Sequence, residues 1–328
     1  MKNLKIISEV LETKKEKLKI NSKLENFAND FLLKNQKNSL KLKFLKNVSK
    51  SPVLVSKYTG LVYHSDILTS EATVNRWSNN IYDKRNNPKK ETYTADFPGM
   101  QSRHFFVIDY LRRKVNLKNK TICDFACGEG SILIKLKKYF SYNKLVGSEH
   151  SKKNLEKIKK IFKKNKFKVP KLLKCKIEDF SYLKDDKLII DVGILTWTLC
   201  NCSEPLNVIE SLSKSIKKNG FLLVAESSRI LVPFKKPIQN YFNNKKLTGK
   251  YHPWHWSYNT LSNIFKIYGF ELISSNRYWD EDNLILLFKN TGVKNQKLKF
   301  DDYKKVSHFF SRWLKESLKY SEKKFLKS

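Results

Sequence analysis

The chain has 328 residues, of which 40% are hydrophobic and 13% aromatic. This length and composition allow a sizeable buried core and exclude a disordered protein. The net charge is +35, yet only eight of the 66 basic residues are Arg. Arg is the residue best suited to bidentate recognition of bases and phosphates, so we attribute the positive charge mainly to a compositional bias towards Lys. The alternatives are a surface that binds nucleic acid, or one that binds an anionic membrane or glycan.

The five cysteines include no C-x-x-C pair, so their spacing predicts reduced thiols and no zinc site. The sequence has no recognisable secretory signal and no run near 18 apolar residues. We therefore expect a cytoplasmic protein that does not span a membrane.

The first part of the chain divides into two predicted segments. Residues 1–50 are rich in Lys, with apolar residues at helical spacing, which predicts a helical extension. Residues 51–118 open with "SPVLVSKYTGLVYHSDIL", in which two β-rich runs flank Thr59 and Gly60. This pattern predicts a hairpin, which is followed by a helical lid.

Residues 119–291 alternate between apolar strands and amphipathic helices. Strands are predicted at 121–125, 144–149, 171–177, 188–197 and 221–227, with further strands towards residue 291. The alternation predicts an α/β domain with a Rossmann-like, mainly parallel seven-stranded sheet and helices on both faces. The helix that begins near Glu204 is predicted to end at Gly220. Residues 292–328 predict a C-terminal amphipathic helix.

The loop after the first strand of this domain, "DFACGEG" (124–130), is a candidate ligand loop. A phosphate-binding P-loop is excluded because Gly130 is not followed by Lys and Ser or Thr. A dinucleotide fingerprint is excluded because its third glycine position is Leu133. Asp124 and Glu129 repel a pyrophosphate and suit an ammonium group, so the residue chemistry favours S-adenosylmethionine (SAM).

Acidic residues follow the next two strands as well. Glu149 ends the second strand, 25 residues after Asp124, where a carboxylate can accept hydrogen bonds from both ribose hydroxyls. Glu178 and Asp179 follow the third strand, where they can meet the adenine amino group. A solvated charge is the ordinary interpretation of any one of them, but their shared register with the glycine loop favours a nucleoside site.

Five segments resemble, in order, those of class I SAM-dependent methyltransferases: "DFACGEG", "VGSEHS", "IEDF", "GILTWTLCNCSEPLNVIESLSKSIKKNGFLLVAES" and "YHPWHWSYNTLSNIFKIYGFE". The resemblance covers about residues 90–290. It is strongest to the branch that carries an N-terminal zinc ribbon and modifies sugars or other small metabolites. Where that branch has C-x-x-C-G-L-V-Y, this chain has "SKYTGLVY", with Ser56 and Thr59 in place of the cysteines. We therefore expect the hairpin without a metal site.

The resemblance implies roles for individual residues. Those around the glycine loop would line the methionine part of SAM, and those at the end of the fourth strand would pass under it. The predicted cofactor-binding residues are Asp124, Ala126, Cys127, Gly128, Gly130, Glu149, His150, Glu178, Asp179, Leu195 and Thr196. The predicted substrate contacts are Tyr93, Arg103 and Trp197.

A hydroxyl acceptor needs a base to remove its proton. Relatives often carry a Glu-His pair after the fourth strand, but this chain has Leu199, Cys200 and Asn201 there. The candidate bases are therefore His252 and His255 of "YHPWHWS", and Glu226 at the end of the fifth strand. The alternative is that the aromatic-rich segment around these histidines packs as a lid.

We predict a SAM-dependent methyltransferase (EC 2.1.1.-) that acts on a small molecule such as a sugar nucleotide or a surface-glycan precursor. This acceptor can be anionic. RNA or DNA methylation is an alternative, but "DVGILTW" lacks the Asn-Pro-Pro-aromatic run of amino-directed nucleic-acid methyltransferases. A non-catalytic, SAM-binding scaffold subunit is a second alternative. The sequence carries no signal for an oligomeric state.

Overall fold

A computed structural model describes residues 39–49, 51–78, 98–142, 144–183, 188–227, 238, 252–276, 283–294 and 297–319. Of the helical extension predicted for residues 1–50, residues 1–38 lie outside these ranges, as does the predicted substrate contact Tyr93. Residues 39–49 form a short strand and a 3₁₀ helix instead, because Ser39–Lys41 pairs with the hairpin. Within them, no helix has the length and apolar character that crossing a bilayer requires.

The described residues form two sheets. The strands are β1 (Ser39–Lys41), β2 (Val53–Ser56), β3 (Val62–His64), β4 (Thr121–Phe125), β5 (Lys144–Glu149), β6 (Lys171–Lys174), β7 (Ile190–Thr196), β8 (Ile216–Glu226), β9 (Trp254–His255), β10 (Phe270–Ser275) and β11 (Leu284–Asn290). The helices are α1 (Ser70–Ser78), α2 (Pro98–Lys114), α3 (Ser131–Tyr139), α4 (Lys152–Lys164), α5 (Pro205–Ser215), α6 (Tyr258–Lys266) and α7 (Tyr303–Lys319). Short 3₁₀ helices cover Lys43–Leu45, Ile177–Tyr182 and Leu199–Asn201.

The large sheet has the strand order β10-β11-β8-β7-β4-β5-β6. Its strands β6, β5, β4, β7 and β8 run parallel, and β11 is antiparallel to both of its neighbours, β8 and β10. Side chains along β4 alternate between two cores, with Ile122 on the side of α2, α3 and α4, and Phe125 on the side of α5 and α6. Burial on both faces explains the near-continuous apolar strands, and the predicted Rossmann-like fold class is confirmed.

The helix predicted to reach Gly220 ends earlier, because α5 stops at Ser215 and β8 begins at Ile216. Ile216 is buried and pairs with Ile190 of β7, so the sheet captures this residue before the helix can continue. Gly220 allows a close backbone approach instead of a helix cap, since a Cβ there would lie 2.9 Å from the carbonyl oxygen of Asp191.

The small sheet is antiparallel and has the order β1-β2-β3-β9, so the predicted hairpin receives a strand from far along the chain. In its turn, Ser56 Oγ accepts hydrogen bonds from the amides of Tyr58 and Thr59, both at 3.2 Å. Thr59 Oγ1 accepts another from Leu61, also at 3.2 Å. Buried hydroxyls therefore satisfy the amides of the turn at the two positions where relatives carry cysteines.

The helix α7 covers one side of the small sheet. Its Phe310 and Trp313 are buried in a third core with Val53 and Val55 of β2. Aromatic side chains of this size supply much of the apolar burial that holds so short a sheet in place. The segment that carries β9 is anchored as well, because Trp254 Nε1 donates to the carbonyl of Cys202 at 2.7 Å.

Candidate active site

The loop that follows β4 is held by hydrogen bonds to the end of β5. The amide of Ala126 lies 3.4 Å from Ser148 Oγ, and the amide of Cys127 donates to the Ser148 carbonyl at 2.9 Å. The amide of Gly128 donates to Glu149 Oε2 at 3.0 Å. These bonds join the glycine loop to the end of β5, the strand that pairs in parallel with β4.

Two glycines of the loop have different environments. Gly130 has φ of +79°, and a Cβ there would lie 2.7 Å from Ile158 Cγ1, so the loop packs directly against α4. Gly128 has φ of +54°, but a Cβ there would meet no atom within 4 Å among the described residues. The open side of Gly128 leaves room for a ligand to approach the backbone. Ala126 adopts a left-handed φ of 50° without being glycine.

Two buried carboxyl groups face this loop. Asp124 is 2% exposed and Glu149 is 3% exposed. In the described part of the chain, Asp124 Oδ1 has no hydrogen-bond partner. Burial, and then the charge of Glu149, raise the pKa of Asp124 well above its usual value. Burial also raises the pKa of Glu149, against the opposing effects of His150 and of the amides of Ser151 and Gly128.

A cationic ligand that carries hydroxyl groups fits these carboxyl groups. Both oxygens of Glu149 already accept one amide, since Oε1 also takes the amide of Ser151 at 2.9 Å. Each carboxylate oxygen can accept a second hydrogen bond, which is what a pair of ribose hydroxyls would supply. The orphan oxygen of Asp124 calls for a donor or a positive charge. This pair therefore fits the ribose and ammonium groups of SAM.

Glu129 does not share that role, contrary to the expectation from sequence. Its carboxylate accepts a hydrogen bond from Lys157 Nζ at 2.6 Å, and both side chains are buried. The pair joins the glycine loop to α4, so the charge of Glu129 is already compensated within the protein. Asp124 is the acidic residue of the loop that is left to meet a ligand.

The other predicted residues on the nucleoside side lie at the ends of β5 and β6. His150 Nδ1 is 3.2 Å from Glu149 Oε1, and the next residue, Ser151, is the N-cap of α4. Glu178 and Asp179 lie in the 3₁₀ helix that follows β6. Glu178 is half-buried, with a pKa raised by burial, whereas Asp179 is exposed. Of these two, Glu178 has the environment that a binding pocket provides.

The end of β7 brings together predicted cofactor and substrate residues. Leu195 is buried and Thr196 half-buried, and Trp197 follows with a left-handed φ of 47°. Its amide donates to the Ala225 carbonyl at 2.7 Å. The guanidinium carbon of Arg103 lies 5.8 Å from the centre of the Trp197 ring, so these two predicted substrate contacts are neighbours.

His104 lies on the same tryptophan, with 5.6 Å between the ring centres. Its Nδ1 is 2.5 Å from Ser131 Oγ at the start of α3. Burial, assisted by the charges of Lys135 and Arg103, lowers the pKa of His104 to about 4. His104 is therefore neutral near pH 7 and packs beneath Trp197 as a hydrogen-bonded aromatic ring.

A polar cluster forms around the 3₁₀ helix Leu199–Asn201, where β7 and β8 end. Glu226 Oε1 accepts from the Leu199 amide at 2.6 Å. Burial raises the pKa of Glu226 to about 7, although hydrogen bonds from the Cys200 thiol and from nearby amides oppose this. His252 Nδ1 is hydrogen-bonded to Asn201 Oδ1 and lies 3.7 Å from Cys200 Sγ. The predicted bases His252 and Glu226 therefore both contact this 3₁₀ helix.

His255 has a different environment from His252. It is a buried residue of β9, paired with Val62 of β3, and its ring centre is 5.0 Å from that of His64. Its surroundings match the alternative interpretation of this segment as a packed lid.

Sequence reasoning missed three residues that build the site: Ser148, Lys157 and Asn201. Ser148 and Lys157 hold the glycine loop from β5 and α4, and Asn201 contacts a histidine 51 positions later in the chain. No local pattern signals such contacts. In the sequence, Asn201 stands out only as a departure from the Glu-His pair of relatives.

A family model described as "Methyltransferase domain" matches residues 116–287, more than half of the chain. No curated protein matches the sequence.

Three solved structures illustrate the structural similarity. Magnesium protoporphyrin IX methyltransferase from Synechocystis PCC 6803, with bound SAM, is 14% identical, with a TM-score of 0.48 over 67% of this chain and 96% of its own. The N-methyltransferase NodS from Bradyrhizobium japonicum WM9, in complex with S-adenosyl-L-homocysteine (SAH), is 14% identical, with a TM-score of 0.43 over 60% and 89%. The putative methyltransferase in complex with the Haloferax volcanii Trm112 activator is 13% identical, with a TM-score of 0.48 over 68% and 97%.

Similarity this remote says nothing about the acceptor. The family match, the strand order and the buried carboxyl pair beside the glycine loop lead to the same assignment. The chain belongs to the family of class I SAM-dependent methyltransferases.

Proposed function

We propose that this protein transfers the methyl group of SAM to a hydroxyl group of a small-molecule acceptor, namely a sugar nucleotide or a surface-glycan precursor. The observation that carries the proposal is that His252 and Glu226 both contact the 3₁₀ helix Leu199–Asn201, at the same carboxyl edge of the sheet as Asp124 and Glu149. This edge is where ligands bind in open α/β sheets.

The donor side of the site is assigned to the glycine loop and its neighbours. Glu149 would accept the ribose hydroxyls, and Asp124 would face the ammonium group of the methionine part. Glu178 would border the adenine. SAM supplies a methyl group on a sulfonium that is already activated for displacement, so these residues serve to bind and orient it.

The acceptor side is assigned to Trp197, Arg103 and His252. The guanidinium of Arg103 lies near Trp197, where it can pair with a phosphate of a nucleotide-linked sugar. His252 would take the proton of the acceptor hydroxyl, because an imidazole titrates near neutral pH. A sugar-nucleotide acceptor also agrees with the cytoplasmic location predicted from the sequence.

A specific surface favours RNA as a second candidate acceptor. The exposed Lys138 has its Nζ 5.2 Å from the ring centre of Tyr139, and the Nζ of Lys135, which is buried, lies 4.6 Å from that of Phe105. Both aromatic rings are exposed and lie 5.6 Å apart. Aromatic rings interleaved with lysines can stack single-stranded bases.

Transfer of labelled methyl groups from SAM separates these candidates. We expect label in pooled sugar nucleotides and none in RNA, with a rate lowered at least tenfold in His252→Gln. The matched control is His308→Gln, since His308 is exposed on α7. Labelling of RNA alone would replace the proposed acceptor with the second candidate. Tight SAM binding without transfer to either acceptor would favour a scaffold role.

A further inference from the structure

We propose that Asn201 is a positioning residue that holds His252 in the tautomer whose Nε2 is unprotonated, so that Nε2 receives the proton of a hydroxyl acceptor. This inference rests on the proposed function for its chemistry. The arrangement of the side chains that carries it can be tested without knowing the acceptor.

The orientation of the Asn201 amide is fixed by its second hydrogen bond. Its Nδ2 donates to the carbonyl of Trp197 at 2.8 Å, so its Oδ1 is the atom that faces His252. An amide oxygen can only accept a hydrogen bond, so Nδ1 of His252 must carry the hydrogen that joins them. A neutral imidazole has one such hydrogen, and the lone pair that accepts a proton is therefore on Nε2.

The backbone around Asn201 is held from several sides. The amide of Asn201 donates to the Thr198 carbonyl at 2.9 Å, and Glu226 accepts the amide of Leu199. Trp197 keeps a left-handed φ, which persists only where the surroundings determine it. A fixed partner of this kind gives an imidazole one orientation, as a supporting residue of an acid–base site must.

The segment of His252 is fixed separately. Two residues further on, Trp254 donates to the carbonyl of Cys202, just past the 3₁₀ helix. Trp254 also pairs with Tyr63 of β3. Both partners of the His252–Asn201 hydrogen bond are therefore anchored, one to the large sheet and one to the small sheet.

In the proposed reaction, methyl transfer from SAM is coupled to removal of the acceptor's hydroxyl proton. The acceptor oxygen forms a bond to the methyl carbon while the carbon–sulfur bond breaks, and its electron pair stays on sulfur. The O–H electron pair stays on the acceptor oxygen, and His252 Nε2 takes the proton and later releases it to solvent. The guanidinium of Arg103 beside Trp197 disfavours a positively charged acceptor group, which agrees with the neutral or anionic hydroxyl acceptor of the proposed function.

The test is nitrogen-15 NMR of the full chain with labelled histidine, in which the His252 signals are assigned by their loss in His252→Gln. We expect a protonated Nδ1 and an unprotonated Nε2 in the neutral form. An Nε2-protonated ring in the wild-type protein would overturn the proposal. This readout needs no methyl transfer, so it stands or falls independently of the proposed activity.

Two variants of Asn201 are expected to change the His252 signals in different ways. Asn201→Leu removes the acceptor, and we expect His252 to lose its single tautomer. Asn201→Asp keeps an acceptor but adds a negative charge, so we expect the same tautomer with a raised His252 pKa and an acid limb of kcat shifted to higher pH. Asn207→Leu, which makes the same change at a half-buried position of α5 where the side chain bonds to Glu204, is the control and should leave the His252 signals unchanged. Unchanged His252 signals in both Asn201 variants would refute a positioning role.

Discussion

The buried ion pair between Lys157 and Glu129 allows a quantitative test of how the glycine loop is held. Lys157 is 1% exposed and Glu129 is 8% exposed, with 2.6 Å between Nζ and Oε1. The substitution Lys157→Met keeps most of the side-chain volume and leaves the Glu129 carboxylate buried without its lysine. Breaking a buried pair in this way costs about 3–5 kcal/mol.

The chain contains a matched control on the same helix. Lys159 and Glu156 are 2.7 Å apart, nearly the same separation, but they are 47% and 51% exposed. An exposed pair of this kind contributes about 0.2–1 kcal/mol, so Lys159→Met should change stability little. The two substitutions are chemically the same and differ in the burial of the pair.

Urea unfolding followed by circular dichroism measures both variants. We expect Lys157→Met to lower the free energy of unfolding by about 3–5 kcal/mol, and the double variant Lys157→Met/Glu129→Gln to recover more than half of that loss, because no buried charge is left. A loss below about 1 kcal/mol in Lys157→Met, equal to that of Lys159→Met, would refute the claim that this pair holds the loop.

Three further predictions concern the loop and its carboxyl groups. Because burial raises the pKa of Asp124, its charge destabilises the folded protein without SAM at neutral pH. Asp124→Asn should therefore raise the melting temperature at pH 7, and this gain should disappear at low pH, where Asp124 is protonated in both the folded and the unfolded protein. The same substitution should weaken SAM binding in calorimetry about 10–100-fold. For the wild type, the dissociation constant of SAM should rise as pH falls, since Asp124 and Glu149 lose charge. A dissociation constant that stays the same from about pH 8 to about pH 5 would contradict this role. Gly130→Ala should lower the free energy of unfolding in urea by about 2–4 kcal/mol, because the strain of a left-handed φ adds to the contact with Ile158. Gly128→Ala should lower it by about 1–2 kcal/mol and mainly weaken SAM binding, because the left-handed φ is strained but the space around its Cβ is open. Equal losses of stability in the two variants would contradict the claim that one side of Gly128 is open to a ligand.

The sequence predicted the large sheet well because burial on both faces leaves an unmistakable pattern. Runs such as "TICDF" and "GILT" are mostly apolar, and they form β4 and part of β7. The predicted boundary between α5 and β8 was wrong because the local sequence "SIKKNG" is compatible with the last turn of a helix that ends at Gly220. The pairing of Ile216 with Ile190, which is not visible in the local sequence, decided that boundary.

The proposed donor side of the site was accessible to prediction in the same way, since Asp124, Glu149 and Glu178 lie at or just after the ends of strands. The acceptor side could not, because its contacts join distant parts of the chain. His252 reaches Asn201 only because β9 adds to the N-terminal hairpin, and nothing in "YHPWHWS" distinguishes the histidine at the turn from the one inside the sheet. Glu129 was misjudged for the same reason, since its partner Lys157 lies on another element.

The central claim is that the buried carboxyl pair at the ends of β4 and β5 binds a phosphate-free, cationic adenosine derivative. Isothermal titration calorimetry of the full chain against SAM, SAH, ATP and NAD tests it most directly. The account predicts saturable binding of SAM and SAH that weakens at least tenfold in Glu149→Gln, and no competition from ATP or NAD. Tight binding of ATP or NAD that displaces SAM, or SAM binding indifferent to Glu149→Gln, would contradict it.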